Sequence, residues 1–124
     1  MDLFDGYVRT GLDRLAMEML VRSYFDTLNE GGDPSRYLEH PVVFRPSLSR
    51  EAQGRSDVIE MVASMREPFE EWQTTIVSLA TGEDFVLAEC VIQLKLHGTQ
   101  GHVLAFSYLR IRDGRISHWH QVSE

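Results

Sequence analysis

Two histidines stand where a reaction could use a proton donor or acceptor: His40, directly before Pro41, and His120, near the end of the chain. Imidazole is the one side chain whose ordinary pKa lies close to neutrality, so these two are the candidate acid–base groups. Arg45, between Phe44 and Pro46, carries a fixed positive charge suited to a developing oxyanion or a ligand carboxylate. Its structural alternative is an ion pair with a carboxylate such as Glu39. His40 has an alternative too, as a helix-end residue meeting the last carbonyls. Tyr24 and Trp119 offer a phenol and ring faces to a flat ligand, or belong to the core. Ser107 and Gln121 can only hydrogen-bond unless a base activates the serine. His118 and His120 have the spacing of two metal ligands on one strand face, with His102 or Glu39 as an imaginable third. So short a motif predicts no metal.

These residues are placed by a pattern that changes midway along the chain. From Leu12 to Leu28 the apolar residues Leu12, Leu15, Ala16, Met19, Leu20, Tyr24 and Leu28 follow helical spacing. Gly31-Gly32 ends that helix, and Asp33-Pro34 predicts a short second one through Tyr37 and Leu38, stopped by Pro41. Val42 to Arg45 reads as a brief strand, and Pro46 to Gly54 as a loop. Ser56 and Asp57 can cap a third helix, which Pro68 closes. Beyond Trp72 the period becomes alternating, and turn signals at Thr81–Asp84, His97–Gly101 and Asp113-Gly114 divide the remainder into four strands. On the second of these, Val86, Ala88, Cys90, Ile92, Leu94 and Leu96 form one apolar face. Cys90 on that face is expected to be an inert core thiol. The third strand is bulky on both faces, with Phe106 and Tyr108 opposite Ala105, Ser107 and Leu109, which predicts a homodimer through the outer sheet face.

The facing of the last strand decides which chemistry reaches the interior. A plain two-residue Asp113-Gly114 turn pairs Ser107 with His120 and turns both histidines inward. One bulge reverses the parity, sending Trp119 and Gln121 inward and the histidines outward. Both arrangements remain open from the sequence.

Length and composition bound the rest. The chain has 124 residues, 43% hydrophobic and 25% charged, which fits one domain spanning residues 1–124 with a real core. A net charge of −7 with dispersed Lys and Arg gives no footprint for a phosphate backbone, so nucleic acid is not an expected partner. No run approaches the roughly 18 apolar residues of a membrane span. A lone cysteine and an acidic, glycine-broken start point to a cytoplasmic protein.

Several strings, in order, resemble the nuclear transport factor 2-like superfamily, in its SnoaL-like and ketosteroid isomerase-like branches. They are Tyr37-Leu38-Glu39-His40-Pro41, Gly54-Arg55, and Leu109-Arg110-Ile111-Arg112-Asp113-Gly114-Arg115-Ile116 followed by His118-Trp119. The resemblance implies an α+β, cone-shaped, cystatin-like roll: three N-terminal helices packed on a strongly curved antiparallel sheet. In the isomerase branch, the positions of the carboxylate base and the protonated Asp fall on Arg45 and Ser107, and that of the oxyanion-hole Tyr on Tyr24 or Phe25. Arginine cannot be that base, so authentic ketosteroid isomerase chemistry is not expected. The acid–base Asp of the SnoaL-like branch falls on Gln121 or on His120, depending on whether the turn or Trp119 anchors the match.

The expected function is a pocket protein for a small hydrophobic or weakly acidic molecule, without a cofactor. As an enzyme it would be a cyclase, isomerase or hydratase acting on a carbonyl or polyketide-like compound. His40 or His120 would then move the proton, Arg45 would hold the oxyanion, and Tyr24, Ser107, Trp119 and Gln121 would hold the ligand. The alternatives are a non-catalytic binder or carrier, and a dimerisation module whose pocket its own side chains fill.

Overall fold

A computed structural model describes residues 3–124, with side chains described from Asp13 onward. The elements run α1 (Leu3–Asn29), a single 3₁₀ turn (Ser35–Tyr37), β1 (Leu38–Ser47), β2 (Arg50–Gln53), α2 (Arg55–Arg66), β3 (Glu71–Thr81), β4 (Phe85–Leu96), β5 (Thr99–Arg112) and β6 (Arg115–Ser123). All six strands form one sheet in the order β2-β1-β6-β5-β4-β3. The helices pack on one face of it, giving the expected α+β cone. Among the described residues, no helix is long and apolar enough to cross a membrane.

Several local expectations are corrected. The second of the three expected helices is only one 3₁₀ turn, because β1 begins at Leu38 and runs through Pro41. Pro41 is tolerated there where the register of β1 against β6 is broken, between Leu38 and Val43. The sheet is mixed rather than purely antiparallel, since β1 runs parallel to β6. The stretch expected as a loop contains a hairpin, β1 with β2. α2 starts one residue before the expected caps: Gly54, at φ +88°, occupies the N-cap, and no side chain caps the helix. A positive φ at this junction suits glycine, which lacks the Cβ that makes it costly.

In α1 the buried stripe is Val21, Tyr24, Phe25 and Leu28, at helical spacing. Leu15, Ala16 and Met19, expected on that stripe, are exposed, and Leu12 lies outside the described side chains. The inner sheet face follows the expected alternation. Val86, Ala88, Cys90 and Ile92 of β4 and Ala105, Ser107, Leu109 and Ile111 of β5 are buried.

The Asp113-Gly114 turn has positive φ at both residues, +52° and +74°, the type I′ geometry that matches the twist of a two-residue hairpin. It pairs Ile111 with Ile116. One residue later the register shifts, so that Arg110 pairs with His118, Leu109 with Trp119, Tyr108 with His120 and Ser107 with Gln121. Ser117 is the extra residue. It is buried, and its hydroxyl donates to the carbonyl of Arg110 at 3.3 Å. Of the two arrangements the sequence left open, the molecule adopts the bulged one.

Candidate functional site

The bulge gives the inner face Trp119 and Gln121. Trp119 is 4% exposed and packs into the core. Its ring stacks on Phe44, its neighbour across β1, with centroids 4.0 Å apart, and meets Tyr24 and Phe25 edge-on at 5.2 and 5.7 Å. The indole Nε1 donates to Ser107 Oγ at 3.1 Å, and that hydroxyl donates to Gln121 Oε1 at 3.4 Å. Ser107 is thus held by Trp119 and Gln121 rather than by a histidine, which removes the activated-serine arrangement.

A narrow cleft remains beside this plug, between the C-terminal ends of α1 and α2 and the inner faces of β3 and β6. Phe25, Leu28, Phe44, Val62, Met65, Trp72, Ile92 and Trp119 make it apolar; Arg66, Thr74 and Gln121 are its polar groups. The enclosed part holds about 20 Å³, and the space reaches about 340 Å³ once the open mouth is included. The smaller figure is room for about one water.

Sequence reasoning missed Arg66, which dominates the cleft electrostatically. It ends α2, lies 5.8 Å from the Trp72 ring centroid, donates to the carbonyl of Leu28, and reaches Asn29 Oδ1 at 3.5 Å. These contacts place a cation at the C-terminus of α1, where the helix carbonyls are unpaired and the dipole is negative. Burial draws the Arg66 pKa below its ordinary value, opposed by the nearby Tyr24. An arginine still stays charged at neutral pH. The available signal was its place at the end of an amphipathic helix, just before the Pro68 stop.

Tyr24 is fully buried, and its hydroxyl has no hydrogen-bond partner among the described residues. Burial pushes its pKa far above the usual phenol value, with Arg66 pulling the other way. The phenol is therefore a donor, not a base. It sits one layer behind the cleft, against Trp119 and Phe25.

None of the candidate proton movers lines the cleft: the bulge selects, of the two facings the sequence left open, the one that turns His120 outward, and on β1 His40 and Arg45 are exposed. His120 and His118 face the outer side of the sheet, their rings 6.0 Å apart. Arg45 pairs with His120 across β1 and β6, and its side chain is 52% exposed. Its ion-pair partner is Glu51 on β2, at 2.6 Å, not Glu39. Glu39 instead lies 3.9 Å from Arg112. His40 is exposed on β1 and lines neither the cleft nor the outer grooves around His120.

On the outer face His120 touches two grooves: an apolar trough of about 490 Å³ with Leu87, Phe106, Tyr108 and Val122, and a polar one of about 370 Å³ with Arg45 and Glu51. Burial, then the charges of Arg45 and His118, lower the His120 pKa, while Glu51 opposes them. Its Nε2 is enclosed and has no hydrogen-bond partner among the described residues. Among the described residues no three His, Cys, Asp or Glu gather as a metal site. Cys90 is buried, and burial pushes its thiol up to about 11.

Solved structures share this architecture at low identity. An LEH-like epoxide hydrolase from M. tuberculosis matches with a TM-score of 0.79 at 16% identity, over 90% of this chain and 85% of that one. A SnoaL-like protein from Jannaschia sp. CCS1 gives 0.81 at 13%, over 90% and 87%. TerC, crystallised with polyporic acid, gives 0.79 at 11%, over 88% and 92%. No curated protein matches the chain by sequence. The model of the SnoaL-like domain matches residues 21–119, and on that match the chain belongs to the SnoaL-like family of the nuclear transport factor 2-like superfamily.

Proposed function

We propose that this protein binds a small, flat, hydrophobic or weakly acidic molecule in the cleft beside Trp119, and that Arg66 is the group that meets the ligand's oxygen. One observation carries this reading: the cleft is apolar apart from a guanidinium over an indole, a threonine and a glutamine. Apolar walls with a few convergent polar groups are the usual form of a small-molecule site. A partly desolvated guanidinium favours a carboxylate or enolate oxygen over a neutral one. Relatives of this fold include an epoxide hydrolase and a protein crystallised with polyporic acid, both of which act on or hold small molecules.

Entry requires the walls to part, since the enclosed volume fits only about one water. Met65 and Arg66 are the long, unbranched wall residues that can swing. The cleft lining has no carboxylate or imidazole, which favours a binder or carrier over a cyclase, isomerase or hydratase working by general acid–base catalysis. The small volume gives a specific reason to keep one second reading, a dimerisation module filled by its own aromatics.

Both tryptophans of the chain, Trp72 and Trp119, line the cleft, so their indole N–H resonances report directly on occupancy. Titration with 2-naphthoate is expected to shift both, and 2-naphthalenemethanol to bind at least several-fold more weakly. Arg66→Met should erase that preference. Indoles that stay unmoved by either compound at millimolar concentration would establish the filled-module reading instead.

A further inference from the structure

We propose that Gln121 determines which ligands the cleft accepts: it calls for a second acceptor oxygen, a carbonyl, set across a flat apolar body from the anionic oxygen that Arg66 meets. This rests on the cleft being a ligand site, and it follows from the direction of one hydrogen-bond chain, from Trp119 through Ser107 to Gln121.

The chain has only one polarity at its start. An indole N–H donates and never accepts, so Trp119 Nε1, 3.1 Å from Ser107 Oγ, uses a lone pair of that hydroxyl. The hydroxyl keeps its single proton, and Ser107 is 2% exposed, so that proton needs an acceptor inside the protein. Gln121 Oε1, at 3.4 Å, is that acceptor. A turned amide would aim Nε2 at Ser107 Oγ and set the hydroxyl proton against another donor, so the network assigns the orientation. With Oε1 held by Ser107, the end of the half-buried Gln121 left for a ligand is Nε2, which can only donate.

The other polar groups of the lining agree in sign. Arg66 donates and has no acceptor, while the Thr74 hydroxyl can do either. The two fixed donors come from different sides. Gln121 enters on β6, whereas Arg66 lies beside Trp72 of β3, and β5 and β4 stand between those strands. A ligand with one oxygen satisfies one end only. A ligand whose far end carries an N–H sets donor against donor, which selects against it. A carboxylate or enolate at one end and a carbonyl at the other satisfies both.

Titration followed by the two indole N–H resonances tests this. 6-Acetyl-2-naphthoate is expected to bind the wild type at least fivefold more tightly than 6-isopropyl-2-naphthoate, which has the same outline and no acceptor; apolar burial alone would favour the isopropyl compound. Gln121→Met keeps the length and removes the donor, so it should abolish this preference and leave intact the Arg66-dependent preference for 2-naphthoate over 2-naphthalenemethanol. Gln121→Glu still accepts from Ser107 but offers no donor, and should bind 6-amino-2-naphthoate more tightly than the acetyl compound, reversing the wild-type order. Ser107→Ala frees the amide to turn and should narrow the gap between the acetyl and amino compounds at least threefold. If 2-naphthoate binds but the acetyl compound is no tighter than the isopropyl one, or its advantage survives Gln121→Met, the inference is overturned and the cleft reading stands. Indoles unmoved by every compound would remove both.

Discussion

Ser107 and Trp119 are diagonal neighbours on the inner face of β5 and β6, joined by a buried 3.1 Å hydrogen bond from the indole to the hydroxyl. An unpaired buried donor costs about 1–3 kcal/mol, so Ser107→Ala should lose about that much in urea unfolding. Trp119→Phe removes the donor itself, and the two substitutions together should cost less than their sum by roughly 1 kcal/mol. Strict additivity would show that the bond contributes nothing.

The bulge at Ser117 sets which side chains of β6 face inward. Removing that one residue leaves Ile116 followed directly by His118, so Arg110 still faces His118 and Leu109 still faces Trp119 in a straight register, and Trp119 stays inward. Deletion of Ser117 is therefore expected to retain the near-ultraviolet dichroism of the packed indole and a cooperative melt, as is Ser117→Ala, which keeps the bulge. Loss of the indole dichroism on deletion would mean that the twist of the bulge, and not strand parity alone, seats the aromatic plug.

His120 should leave a signature in the pH dependence. Its folded pKa is lowered, first by burial and then by Arg45 and His118, so the folded state binds that proton less readily than the unfolded chain. Its contribution to stability is therefore fully present above about pH 6.5, the ordinary histidine value, and is lost as pH falls through the folded pKa. The His120 resonance should titrate with a midpoint below 6.5, and Arg45→Gln should move it upward by removing a neighbouring positive charge. A midpoint at or above 6.5 in the wild type would contradict the assignment.

The parts of this architecture that rest on period and turn chemistry were readable in the chain. The alternation of β4 and β5, the type I′ turn at Asp113-Gly114 and the end of α1 all follow from local rules. The apolar outer row of β5 was readable as well. What was not readable depends on one-residue differences and on long-range contacts. A bulge leaves no composition signal, so the inward set of β6 was undetermined, and with it the placing of His120 and Gln121. Arg45 fell on the outer face in the register that β1 takes beside β6, where Arg45 pairs with His120, a contact far apart along the chain that no local pattern announces. Arg66 was overlooked because its role comes from packing against the carbonyl end of a distant helix, and helix-terminal arginines are common on solvated faces. The exposed Leu15 and Met19 carry helical spacing as good as that of the buried stripe, and only the extent of the sheet beneath them separates the two.

The amide of Asn29 does more than end a helix. It accepts from Thr74 N–H and donates to Thr74 carbonyl, both at 2.8 Å, occupying the middle of the outermost strand β3 as another strand would. A register break at Val77 kinks the same strand. At the opposite margin β2 is four residues long and carries Arg50 and Glu51. Unprotected margins invite ribbon-like growth; with both blunted, endless edge-on stacking is disfavoured.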